Sequence, residues 1–116
     1  MAKPNIIQLS EFDITQKIIE TLSNVCTRSV LFSVKSQSKD ATQIAEELKI
    51  SLSTVYKTLS NLEELALAEV DKFIISPEGK KIKLYRSRIG KVEITLDNLE
   101  PSLNLYPNTE NPKSSD

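Results

Sequence analysis

Between residues 40 and 67 the chain reads DATQIAEELKISLSTVYKTLSNLEELAL, the stretch that most restricts what it can fold into. Ala41, Ile44, Ala45 and Leu48 recur at helical spacing, with Asp40 placed as a cap and Gln43 three positions beyond it. Lys49, Ile50 and Ser51 break the pattern. Ser51 serves as a second cap, after which Val55, Leu59, Leu62 and Leu65 return at four-three-three spacing and face a core. Two amphipathic helices joined by so short a break make a helix-turn-helix.

The flanks extend this unit. Asp13 is placed to cap a helix starting at Ile14, whose apolar face holds Ile14, Ile18, Ile19 and Leu22. A helical stretch from Asn24 to about Ser36 follows, with Val25, Val30, Leu31 and Val34 apolar. The signal at Ser23 and Asn24 fits either one bent helix or two. From Ala68 the period changes: AEVDKFIIS is β-branched and aromatic, Pro77 and Gly79 supply a turn, and IKLYRSR alternates. Val92, Ile94 and Leu96 then alternate against Glu93, Thr95 and Asp97. Beyond Asn98, Pro101, Pro107 and Pro112 sit among Asn, Ser and Glu, a composition that predicts disorder. The expected fold is α+β: a winged helix-turn-helix of three to four helices, a β-hairpin wing and one further strand. It would occupy residues 13–97, between a flexible arm at 1–12 and a disordered tail at 98–116.

Composition removes most alternatives. The 116 residues contain no histidine, so Ser-His, Cys-His and His-metal arrangements are excluded. The single cysteine, Cys26, forms no internal disulfide and reads most simply as a small buried hydrophobe. Gly79 and Gly90 are the only glycines, too few for a glycine-rich phosphate loop. No catalysis, cofactor or metal is expected. No apolar run approaches the ~18 residues of a membrane span, and MAKPNIIQLSEF lacks the apolar stretch of a signal peptide, so a cytoplasmic location is expected.

A formal net charge of −1 conceals a strong asymmetry. Residues 72–91 carry Lys72, Lys80, Lys81, Lys83, Arg86, Arg88 and Lys91 against Glu78 alone, a net of +6, whereas residues 92–116 carry a net of −4. Such a cationic ribbon attracts phosphate even when the whole molecule is close to neutral. The second helix adds an acid-poor outer face of Leu52, Ser53, Thr54, Tyr56, Lys57 and Ser60, with Glu63 and Glu64 only at its far end. Hydroxyls and a lysine suit base edges and phosphates, and Leu52 suits a thymine methyl. Tyr56 could as easily pack its ring on the preceding helix while its hydroxyl touches phosphate. Asn61 is placed toward the core side. Lys80, Lys81 and Lys83 would neutralise backbone phosphate, while Arg86 and Arg88 could instead pair with carboxylates within the fold. Double-stranded DNA is therefore the expected partner.

The segments LSNVCTRSVLF, TQIAEELKISLSTVYKTLSNLEELALAEV and GKKIKLYRSRIGKVEI resemble winged helix-turn-helix transcription regulators of the ArsR-like class, especially small archaeal versions. SLSTVYKTL also resembles the recognition helix of Fur-type repressors. The resemblance covers roughly residues 22–94. It implies a homodimer on a nearly palindromic operator, with Leu52, Ser53, Thr54, Tyr56, Lys57 and Ser60 in the groove. The cysteine-rich and histidine-rich metal motifs of those families are missing, so metal sensing does not transfer. Where the family often has glycine after the recognition helix, this chain has Ala66.

Dimer contacts are expected from Ile14, Ile18, Ile19 and Leu22 with part of the C-terminal strand, although a single-chain core would use the same residues. Transcription machinery is a further expected partner. The alternative, from a different class, is a winged-helix protein-interaction module within a transcription complex, with little DNA affinity of its own.

Overall fold

The computed structural model describes residues 6–110, with side chains from residue 14 onward. Four helices come first: α1 (Ile6–Leu22), α2 (Val25–Ser33), α3 (Ala41–Leu48) and α4 (Leu52–Glu64). Two antiparallel hairpins follow, β1 (Ala68–Ile75) with β2 (Lys81–Ser87), and β3 (Ile89–Thr95) with β4 (Ser102–Pro107). This is an α+β winged helix with an added strand pair.

Local chemistry explains the helix boundaries. Asn24 separates α1 from α2 because its Oδ1 accepts the Thr27 N–H at 3.0 Å, so there are two helices and not one bent helix. Arg28 closes the end of α1, donating from Nη1 to the Leu22 carbonyl at 2.8 Å. Asp40 caps α3 by accepting the Gln43 N–H at 2.7 Å, and Ser51 caps α4 by accepting the Thr54 N–H at 3.2 Å. The Gln43 side chain reaches forward to Glu47 at 3.4 Å, so no reciprocal capping box closes. The turn between α3 and α4 depends on Lys49 at φ 57, a left-handed residue that lets the Ile50 N–H reach the Ala45 carbonyl.

One core joins these elements. Val30 and Leu31 of α2, with Val34 at its C-terminal cap, meet Ile44 of α3 and Val55, Leu59 and Leu62 of α4. Ile18, Leu22, Leu67, Tyr85 and Ile89 close its margins. At about 1.5–3 kcal/mol for each fully buried large apolar side chain, this cluster is the main source of stability. The connector before α3 is tied to the wing by two backbone hydrogen bonds between Lys39 and Tyr85, at 3.1 and 2.8 Å. They hold β2 against the helical layer.

Two expectations are corrected. Helix α1 begins at Ile6, so residues 6–12 are helical and not an arm, and the helix runs through Asp13 where a start was expected; residues 1–5 lie outside the described residues. The tail expected to be disordered contains β4, paired with β3 from Ile89↔Pro107 to Thr95↔Ser102. The reason is positional: Pro107 is the last residue of the strand and Pro101 precedes its first, so neither proline interrupts the ladder. Residues 111–116 lie outside the described part. The further strand expected around Val92 and Ile94 is β3, and Leu96 falls just past its end.

Candidate nucleic-acid interface

Helix α4 divides as its periodicity demands. Val55, Leu59 and Leu62 are buried, and Thr58, which sequence reasoning did not single out, joins them. Ser53, Thr54, Lys57 and Ser60 are exposed, with Leu52 at 41% and Tyr56 at 53% of full accessibility. The six residues expected on the outer face therefore form one continuous exposed surface. Asn61, expected toward the core, is exposed beside them. At the start of the helix Ser51 donates to Thr54 Oγ1 at 2.7 Å and lies 3.3 Å from Ser53 Oγ, so three hydroxyls cluster there.

The wing is built on a tight tip. Gly79 takes φ +83, and Ser76 holds the turn by accepting Gly79 N–H on its carbonyl at 2.9 Å and Lys80 N–H on its hydroxyl at 3.0 Å. Lys80, Lys81 and Lys83 are exposed. Strand alternation puts Lys81 and Lys83 on the same face as Tyr85, with their cross-strand partners Ile75 and Phe73. The Lys81 ammonium sits 3.9 Å from the centre of the Phe73 ring, a cation–π contact that fixes its direction.

Helix and wing border one opening. A cleft of about 430 Å³ is lined by Asp40, Ala41 and Thr42 at the start of α3, Tyr56 of α4, and Lys80, Lys81, Ile82, Lys83 and Tyr85 of the wing. Tyr85 forms its floor, buried at 5% accessibility. Burial, with lesser contributions from Glu63 and Tyr56, raises its pKa above the ordinary 10.0.

Arg86 and Arg88 separate. Arg88 Nε lies 3.9 Å from a Glu69 carboxylate oxygen, an exposed pair of little energetic weight. The Arg86 Nε is buried and has no hydrogen-bond partner among the described residues. Sequence reasoning also missed that Phe73, Ile74 and Ile75 are exposed at 48, 43 and 67%. An uninterrupted apolar run reads as a strand buried on both faces, so nothing in the sequence announced this exposure.

The residues expected at a dimer seam divide as well. Ile18 and Leu22 are buried in the chain's own core, leaving Ile14 at 55% accessibility and a half-buried Ile19 on α1. Further exposed apolar groups lie on the second hairpin, where Ile94 is 43% and Leu105 38% accessible. Cys26 is half-buried in the first turn of α2. No described helix is long and apolar enough to cross a membrane.

No protein-family model matches the chain. Over 66 residues it is 33% identical to an uncharacterized HTH-type transcriptional regulator of Methanocaldococcus jannaschii, an alignment spanning 57% of this chain and 70% of that protein.

Proposed function

We propose that this chain, which belongs to the HTH-type transcriptional regulators, is a sequence-specific double-stranded DNA-binding regulator that works as a homodimer in the cytoplasm. Within that family we assign it to the ArsR-like, archaeal type. Its α4 enters the major groove through Leu52, Ser53, Thr54, Tyr56, Lys57 and Ser60, and Lys80, Lys81 and Lys83 of the wing neutralise the flanking backbone. Two-fold symmetry sets the recognition helices ~34 Å apart, one turn of duplex. Binding regulates transcription by occluding or recruiting the transcription machinery, without catalysis.

One observation carries this reading: Tyr56 of α4 and the three wing lysines line the same cleft, so the acid-poor helix face and the cationic ribbon front the same side. A wing folded away from the helix would neutralise no phosphate that the helix could use. The test is selection from random duplexes followed by a salt titration. Lys57→Glu, or alanine at Lys80, Lys81 and Lys83 together, is expected to weaken binding, the log–log salt slope falling by about 0.9 for each phosphate no longer neutralised. Folded variants with unchanged affinity would overturn the assignment of the surface.

The exposed Phe73–Ile75 run favours a second reading, a protein-interaction module within a transcription complex. That reading requires the purified protein to ignore duplex even at low ionic strength.

A further inference from the structure

The cleft between wing and helices is unusual in its hydrogen-bonding balance. Lys80, Lys81 and Lys83 bring three ammonium groups, and Thr42 and Tyr56 bring two hydroxyls. Among the described residues none of the three lysines has a carboxylate within ion-pair distance, and neither hydroxyl has a hydrogen-bond partner. The carboxylate at the rim, Asp40, is already engaged, accepting the Gln43 N–H at 2.7 Å. Asp40 keeps its charge while making that bond, so three positive charges face one negative and the cleft stays net positive. Donors are in excess, and the matching ligand is a group that only accepts hydrogen bonds and carries negative charge.

We propose that this cleft seats a single backbone phosphodiester of duplex DNA, with Lys81 and Lys83 supplying charge and Thr42 and Tyr56 supplying directed hydrogen bonds. The inference rests on the DNA-binding reading above and adds to it a defined phosphate seat. It brings in Thr42, outside both the recognition helix and the wing, and gives the Tyr56 hydroxyl one particular phosphate to hold. The geometry suits that role. Lys81 and Lys83 lean from the β2 face that carries Tyr85, Lys81 is steadied by the Phe73 ring, and Tyr56 stands across the opening on α4. Because the lining comes from α3, α4 and β2, a phosphate held there joins the wing to the helices and sets how deeply α4 sits in the groove. Phosphate contacts of this kind position a protein without reading sequence.

The test uses the full chain and a duplex obtained by selection. Thr42→Val and Tyr56→Phe each delete one hydroxyl and keep the volume. Each is expected to weaken binding about three- to tenfold, equally on preferred and unrelated duplexes, with the selected base preference unchanged. A scan of single methylphosphonates, which remove one backbone charge at a time, should find a position whose substitution harms the wild type but costs the Thr42→Val/Tyr56→Phe double variant little more. If both hydroxyl variants bind as tightly as wild type while Lys57→Glu loses the duplex, the phosphate seat is wrong and the DNA reading survives. If the wild type itself shows no salt-dependent duplex binding, both fall. Inorganic phosphate provides the remaining arm. Should it saturate the Thr42 and Tyr56 amide resonances without competing with duplex, the cleft is a free-anion site and the backbone assignment is overturned.

Discussion

Asn108 donates its side-chain amide to the Ser87 carbonyl at 2.9 Å, and the same nitrogen meets the Lys35 carbonyl at 2.9 Å. Its backbone N–H adds a bond to Arg88 O at 2.8 Å. One residue just past β4 thus ties the second hairpin to the corner between β2 and β3 and to the chain leaving α2. An isolated two-stranded hairpin is marginal in water, so this junction, together with Val92 and Leu103 against the core, keeps β3 and β4 in place.

Asn108→Ala should therefore cost about 1–3 kcal/mol, because it strips two partly buried carbonyls of their donor. Urea denaturation checks the size of the effect. Hydrogen exchange locates it: the β3 and β4 amides should lose protection before those of α4. Equal loss across the whole chain would mean that Asn108 does not hold the hairpin specifically.

Ala66 sits at φ 59 directly after α4, where the Leu67 N–H reaches the Leu62 carbonyl and the Ala66 N–H reaches that of Glu63, both at 2.9 Å. This is a Schellman ending with alanine where glycine is easiest. Ala66→Gly relieves the left-handed strain at some cost in chain entropy, so a net gain of about 0.5–1 kcal/mol is expected. An unchanged or lower urea midpoint would contradict the left-handed ending.

Tyr85 titrates above 10.0 because burial, then Glu63 and Tyr56, disfavour its anion. Below pH 10 the folded and unfolded chains both keep the proton, and the group adds nothing to the pH dependence. Above it the unfolded chain releases the proton first, so stability falls with rising pH until the folded ring also ionises. Tyr85→Phe is expected to flatten this alkaline decline in urea midpoints measured on either side of pH 10. A decline as steep as the wild type's would place its origin elsewhere.

With Ile18 and Leu22 committed to the core, the proposed dimer must use what remains accessible. Ile14 on α1, with Ile94 and Leu105 on the second hairpin, are among the accessible apolar groups and belong to the two elements expected at the seam. Ile14→Asp and Ile94→Asp should each weaken self-association by about tenfold or more, since a charge buried at the seam finds no partner. Lys57→Glu, on the helix assigned to DNA, should leave it unchanged. Sedimentation velocity separates these outcomes, and a wild type that is monomeric throughout the accessible concentration range would remove the two-fold operator.

What the chain's order of residues determined by itself was local. Asp40 and Ser51 cap helices, Val55, Leu59 and Leu62 turn inward, and Pro77 with Gly79 reverses the wing. Each follows from neighbours within four positions, or from the period of two along a strand. Only the tertiary structure decided the long-range matters. It split the apolar face of α1, burying Ile18 and Leu22 and leaving Ile14 out, because α1 extends beyond the part of it that the core covers. It recruited a proline-bearing segment as β4, because pairing with β3 and the Asn108 junction supply hydrogen bonds that composition does not reveal. It also set Thr42 and Tyr56 across from Lys81 and Lys83, residues far apart in sequence that become neighbours only when β2 is pinned to Lys39.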